Sequence, residues 1–206
     1  SVSVWRTIEG HADTISRGGN DYRNYAIDEN GYQLAFTAER DSSAKALQKF
    51  HKLWYWKNGT DSAVIKKKKN SVGMPVSWCV SENGELSFSK NGKRLFFGTA
   101  PIKPAKDTSL IDIDLVKLDV WHYNDDYLQP QQLRNLDREL KRTYLAVYHI
   151  DQQKMVQLAD RELPQVFMSD EGNGDQLVGI TDMGKRVQAQ WEGRTLKDIY
   201  SVSVSD

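Results

Sequence analysis

Three times along this chain a short polar or apolar run enters a glycine-bearing turn and leaves as an apolar segment. The fullest copy is Leu86-Ser87-Phe88-Ser89-Lys90-Asn91-Gly92-Lys93-Arg94-Leu95-Phe96-Phe97-Gly98. Asp28-Glu29-Asn30-Gly31-Tyr32-Gln33-Leu34-Ala35-Phe36 has the same layout, and Ser169-Asp170-Glu171-Gly172-Asn173-Gly174-Asp175-Gln176-Leu177-Val178-Gly179 repeats it more loosely. Asn-Gly supplies two residues that tolerate positive φ, which a type I′ hairpin turn requires. A hairpin turn recurring along an all-β chain points to stacked β-sheets of one type, of which propeller blades are the commonest unit.

The segments between the turns divide into similar units. Residues 2–8 alternate apolar and polar, as a half-buried strand does, and the polar residues 9–24, with Gly18-Gly19, read as a connection. Residues 25–28 and 32–39 form a hairpin about Asn30-Gly31. Residues 53–56 and 63–66 form another about Asn58-Gly59. Four antiparallel strands of this kind make one blade of a β-propeller. The second unit contains a strand at 77–80, a hairpin over 86–98, a strand at 119–123 and a hairpin of 142–150 with 154–158. Pro101 and Pro104 break it, and residues 107–117 read as an extended acidic-apolar loop. Leu133, Leu136 and Leu140 sit at helical spacing, which fits a short helix or one long strand. Short strands at 165–168 and 176–181 open a third unit, followed by 186–191 and 196–204. Its end, Asp198-Ile199-Tyr200-Ser201-Val202-Ser203-Val204, echoes Ser1-Val2-Ser3-Val4-Trp5, and both read as the outer strand of a blade.

The expectation is an all-β chain: a partial β-propeller of about three four-stranded antiparallel blades, with long insertions at 40–49 and 101–117. Residues 1–206 read as a single fragment of one propeller domain, with blades near 20–70, 76–160 and 163–206. Residues 1–8 then supply the outer strand of a preceding blade. Closed propellers have four to eight blades, so the chain reads as part of something longer.

Composition excludes several functions. With 28 basic and 28 acidic residues the formal charge is zero, so no global field favours nucleic acid or an anionic membrane. No apolar run approaches the length of a membrane span. Cys79 is the one cysteine, which rules out an intrachain disulfide and a cysteine-based zinc site; between Trp78 and Val80 it reads as a small buried hydrophobe.

Candidate chemistry is sparse. His11, His51, His122 and His149 are scattered, and no serine sits in a nucleophile context; His122 and His149, which alternate with aromatics on strands, read as ordinary hydrogen-bonding residues. Asp112, Asp114, Asp119, Asp125 and Asp126 form the densest acidic cluster but lack the glycine-containing ligand loop of a calcium hand. Lys66-Lys67-Lys68-Lys69 reads as a solvated loop that protects a sheet edge. Trp5, Trp54, Trp56, Trp78, Trp121 and Trp191 have the chemistry of sugar platforms, but most lie in alternating segments, where packing between blades consumes them.

The motif at 86–98 resembles the N-terminal β-propeller of bacterial serine peptidases of the prolyl oligopeptidase family, above all its large members in Bacteroides-type bacteria. The more specific block is Asp119-Val120-Trp121-His122-Tyr123-Asn124-Asp125-Asp126-Tyr127-Leu128-Gln129-Pro130-Gln131-Gln132. Tyr144-Leu145-Ala146-Val147-Tyr148-His149 and Trp191-Glu192-Gly193-Arg194-Thr195-Leu196-Lys197-Asp198-Ile199-Tyr200 add to it. The resemblance implies a propeller that restricts peptide access to an α/β-hydrolase domain of the same polypeptide, and a periplasmic or secreted parent. It also implies peptide substrates for that parent. Exposed blade faces would additionally favour a homo-oligomer.

The hydrolase nucleophile needs Gly-x-Ser-x-Gly, and no two glycines here lie four apart. No adjacent glutamate pair is present to hold a substrate's amino terminus, as the dipeptidyl-peptidase branch does. The expectation is therefore a chain that is not itself an enzyme, with no catalytic, cofactor-binding or metal-binding residue and no cofactor. A stand-alone peptide- or carbohydrate-binding propeller module is the alternative.

Overall fold

A computed structural model describes residues 1–7, 10–19, 21–43, 45–105, 108, 118 and 120–205. Among the described residues four antiparallel sheets follow one another along the chain. The first pairs β1 (Val2–Arg6) with β2 (His11–Ser16). The second is a meander of β3 (Asp21–Ile27), β4 (Gln33–Glu39), β5 (Lys52–Lys57) and β6 (Val64–Lys67). The third contains β7 (Trp78–Val80), β8 (Ser87–Phe88), β9 (Arg94–Pro101), β10 (Tyr144–His149) and β11 (Lys154–Gln157). Its order is β11-β10-β9-β7, and β8 lies beside β7 along the same edge of β9, so the two short strands act as one interrupted strand. The fourth joins β12 (Gln165–Phe167), β13 (Gln176–Thr181) and β14 (Asp198–Ser203) in chain order. Among the described residues two α-helices, α1 (Gln129–Leu140) and α2 (Arg186–Glu192), lie in the connections from β9 to β10 and from β13 to β14.

Strand periodicity explains how the sheets stack. Successive side chains on a strand point to opposite faces. Thus Leu34, Phe36 and Ala38 of β4 join Trp54 and Trp56 of β5 in a core with Val2 and Ile15 of the first sheet. The intervening Ala35, with Leu53, faces the other way and packs with Val80, Leu95, Phe97, Ala146, Tyr148 and Met155 of the third sheet. On the third sheet's far side Phe96, Val147 and Val156 pack with Leu177 and Val204 of the fourth unit. Three apolar layers therefore separate four sheets in chain order, the arrangement of consecutive propeller blades. Phe36, Phe96, Phe97, Leu53 and Leu95 are fully enclosed, each worth roughly 1.5–3 kcal/mol of burial.

The repeated turn has a common geometry that differs from type I′ in two of its copies. In each, a glycine N–H donates to the carbonyl three residues earlier: Gly31 to Asp28, Gly92 to Ser89 and Gly172 to Ser169. All three glycines take positive φ, but Asn30 and Asn91 do not, which leaves the first two as turns with glycine at the fourth position. In the third, Asp170 (φ 47°) and Glu171 (φ 50°) both enter the left-handed region. The side chains of Asp28 and Ser89 close their turns by accepting from Gln33 N and Arg94 N.

Other expectations are corrected. Residues 11–16, read as connection, form β2 by pairing with β1; only Ile15 and Ser16 at its end are buried, so its apolar alternation is faint. Residues 120–123 are not a strand; Val120, Trp121, His122 and Tyr123 are exposed and irregular. Residues 186–191 belong to α2, which ends at Gly193 in the left-handed conformation. The leucine spacing at 133, 136 and 140 is that of α1, with Pro130 in its first turn, where a missing N–H costs no helical bond. Most of the loop read at 107–117 lies outside the described residues. Among the described residues no helix is long and apolar enough to cross a membrane.

Candidate functional site at the rim of long connections

In an antiparallel meander, alternate connections fall at the same end of the sheet. The repeated turns and the loops 58–63 and 150–153 all lie at one rim of the stack. At the opposite rim lie the described parts of the connections 40–51 and 102–143 and the connection 182–197, each joining the second strand position of a sheet to the third. Every long excursion of the second, third and fourth sheets thus emerges on one side.

A cleft of about 470 Å³ opens between the first two of these connections, lined by Leu47, His51, Glu82, Ile102, Arg142 and Arg161 among others. A second, of about 620 Å³, lies between the last two and shares Glu139, Arg142, Tyr144 and Arg161 with the first. The two form one trough along the rim.

At one end of the trough sits a charged cluster shared by the second and third sheets. His51 stands just before β5 and bridges to Val80 of β7 through an isolated antiparallel pair, which fixes it beside the other sheet. Its side chain is 5% exposed. Nε2 lies 3.2 Å from Asp21 Oδ2, at the start of β3, and Nδ1 lies 3.7 Å from Glu82 Oε2, just past β7. Arg23 donates to Asp21 Oδ1 at 2.8 Å and reaches Glu82 Oε2 at 3.3 Å. The Asp21 hydrogen bond pushes the Arg23 guanidinium further up. Asn24 Nδ2 donates to the Glu82 carbonyl at 2.7 Å, which holds that loop in place.

The other end of the trough is built from the two helical connections. Arg142 pairs with Glu139 in a bidentate fashion, Nε and Nη2 each donating to one carboxylate oxygen, and this hydrogen bonding holds the Glu139 carboxyl below the usual carboxylate range. Arg186 of α2 donates to Asp182 at 2.8 Å, reaches Asp126 at 3.2 Å and lies over the Tyr127 ring. Gln190 donates to the Asp126 carbonyl at 2.8 Å. These contacts tie connection 102–143 to connection 182–197. Arg161 is exposed and makes no ion pair among the described residues. Arginine with apolar neighbours such as Leu47, Ile102 and Leu140 suits carboxylate and carbonyl groups of an extended chain.

The sequence candidates fall into place unevenly. His149 is buried, with Nε2 2.7 Å from the Val204 carbonyl, and serves packing of the third and fourth sheets. His122 accepts from Asn124 N and stacks on Tyr123. No hydrogen bond joins a serine hydroxyl to His51, His122 or His149 among the described residues. Asp125 and Asp126 line the second cleft, while Asp112, Asp114 and Asp119 lie outside the described residues.

The lysine run is not simply a solvated loop. Lys66 and Lys67 belong to β6, and Lys67 is buried, with its ammonium donating to the Val72 carbonyl at 2.9 Å; burial pushes its pKa down. Trp54 and Trp56 are core residues, as alternation implies, but Trp5, Trp121 and Trp191 are largely exposed. Cys79 is half-buried, and burial pushes its thiol up, away from reactivity. Spacing gave no sign of the His51 cluster, because its members come from three elements separated by 30 residues or more.

Comparison with solved structures finds remote likenesses. TolB from Acinetobacter baumannii aligns over 96% of this chain and 34% of its own, at 9% identity and a TM-score of 0.41. The tricorn protease aligns over 98% of this chain and 25% of its own, at 9% identity and a TM-score of 0.37. Prolyl oligopeptidase B from Galerina marginata, in a complex with a 35mer hydrolysis and macrocyclization substrate, aligns over 88% and 26%, at 12% identity and a TM-score of 0.29. The chain spans between about a quarter and a third of the length of these structures. No family model matches the chain, and no curated protein matches it.

Proposed function

We propose that this chain is the non-catalytic propeller part of a prolyl oligopeptidase-like serine peptidase, which scaffolds and gates peptide access to an α/β-hydrolase domain of the same polypeptide. The observation that carries the reading is the asymmetry of the two rims. One bears tight turns; the other gathers three long connections about a trough with Arg142, Arg161 and apolar walls. A trough of that chemistry suits an extended peptide, whose carbonyls and carboxylate meet arginine and whose side chains meet Leu47, Ile102 and Leu140. Hydrolysis would be the work of the other domain, since no Gly-x-Ser-x-Gly elbow occurs in these residues. The family resemblance carries with it a periplasmic or secreted location and leaves open a homo-oligomer through blade faces. The test is the genomic reading frame around these 206 residues. A Gly-x-Ser-x-Gly elbow in the same frame is expected; a complete frame without one overturns the proposal.

A second reading, a peptide- or carbohydrate-binding module acting alone, is favoured by Trp121 and Trp191, which are 67% and 87% exposed on two of the long connections. Calorimetric binding of an oligosaccharide or peptide, lost in Trp121→Ala with circular dichroism unchanged, would select it.

A further inference from the structure

We propose that Asp21, His51 and Glu82 form a divalent-metal site, suited to zinc, that clamps the second sheet to the third. One donor atom from each residue lies within 4.8 Å of the others. The independent observation is His51 Nε2, which is shielded from solvent and has no hydrogen-bond partner. Asp21 Oδ2 is 3.2 Å away, yet off the direction in which that nitrogen would donate or accept, so proximity does not become a hydrogen bond. Two ligands of one metal have this relationship. Zinc sits about 2.0–2.1 Å from nitrogen and about 2.0–2.2 Å from oxygen, and tetrahedral angles then place the two atoms roughly 3.4 Å apart.

Donor chemistry agrees, since an imidazole and two carboxylates suit zinc and its first-row neighbours rather than a soft cuprous ion. The backbone prepares the site: the His51–Val80 bridge sets the imidazole against the loop that carries Glu82, and Asn24 anchors that loop. Glu82 is 45% exposed, and its Oε2 lies nearest His51 Nδ1, so to join a metal held at Nε2 it must turn toward Asp21 and release Arg23 Nη1. Arg23 keeps its bond to Asp21 Oδ1 and becomes the outer partner that orients a ligating carboxylate. The residues come from both sheets, so the bound metal would join them and stabilise the folded chain by mass action. The inference stands independently of any peptidase parent.

The test is titration of the metal-free 206-residue chain with zinc chloride, followed by calorimetry and by thermal denaturation. One zinc per chain is expected, with a rise in Tm. His51→Ala and Glu82→Gln should each weaken affinity at least about tenfold, the effect that loss of even an outer partner has on metal sites. Circular dichroism reports whether His51→Ala folds; if it does not, Glu82→Gln alone decides. Zinc binding weaker than about 100 μM, about −5.5 kcal/mol, overturns the proposal. So does equal affinity in the wild type and in every folded variant.

Discussion

A Cβ built on Gly98 would meet the Gly84 Cα at 2.5 Å, so β9 and the loop that interrupts its partner strand touch backbone to backbone. Neither glycine takes positive φ, so crowding alone demands the missing side chain. This contact explains why β7 and β8 are two pieces: Ser81 N–H donates to the Gly98 carbonyl, and the chain then loops out at Asn83-Gly84 before rejoining β9. Gly98→Ala should cost about 1–3 kcal/mol, the range for forcing extra atoms into a packed site. Urea denaturation of wild type and variant measures it.

Arg94 holds the third sheet to the last repeated turn. Its Nη1 donates to the carbonyls of Asn173 and Gly174, each at 2.8 Å, and more weakly to Gly172, while Nη2 pairs with Asp175. Lysine has one charged point where arginine has a planar fork, so Arg94→Lys leaves carbonyls without donors. A loss of about 2 kcal/mol is expected, since hydrogen bonds to charged groups are worth roughly 1.5–3 kcal/mol. Chemical denaturation again provides the readout, and a loss below about 0.5 kcal/mol, the level of an ordinary surface change, would remove Arg94 from this role.

Phe96 and Trp191 separate buried from exposed aromatics. Phe96 is enclosed between the third and fourth sheets, and Phe96→Ala should cost about 3–5 kcal/mol. Trp191→Ala should change stability by about 0.5 kcal/mol or less. Comparable losses at both positions would mean that the exposed tryptophan packs against something in solution.

Tyr55 gives the fold a defined alkaline limit. Its hydroxyl donates to Gln33 Oε1 at 2.7 Å, and burial, aided by the nearby Asp28 charge, pushes its pKa up from 10.0 to about 12. A group whose pKa rises on folding stabilises the protein fully below its unfolded value and loses that contribution as pH climbs through the folded one. The difference corresponds to at most about 3 kcal/mol, reduced by solvent screening of the hydroxyl, and is lost between pH 10 and about 12. Tyr55→Phe should flatten that part of the stability profile, measured by denaturation at stepped pH.

Much of the architecture was legible because it rests on local chemistry. The glycines at 31, 92 and 172 mark the recurring turn, and alternation in 33–39 and 144–149 marks strands that share their two faces between neighbouring sheets. What escaped were elements with weak apolar signals. Strand β2 buries little along most of its length, and α2 has no buried residue to announce its period. The lysine run misled because charge conceals burial: Lys67 reaches the Val72 carbonyl from inside the sheet. The rim cluster was invisible for a different reason. Asp21, His51 and Glu82 meet only through pairing between strands, and no spacing rule encodes that.

The stacking of sheets in chain order is tested most directly by nuclear Overhauser contacts of the Phe96 ring in the isotopically labelled chain. Its ring carbon Cε2 faces Gly172, at 2.9 Å from where a Cβ there would stand, so cross-peaks to the Gly172 α-protons are predicted, together with cross-peaks to Leu177 of the same apolar layer. A Phe96 ring that showed contacts only within its own sheet, to β8 and β10, would contradict the account.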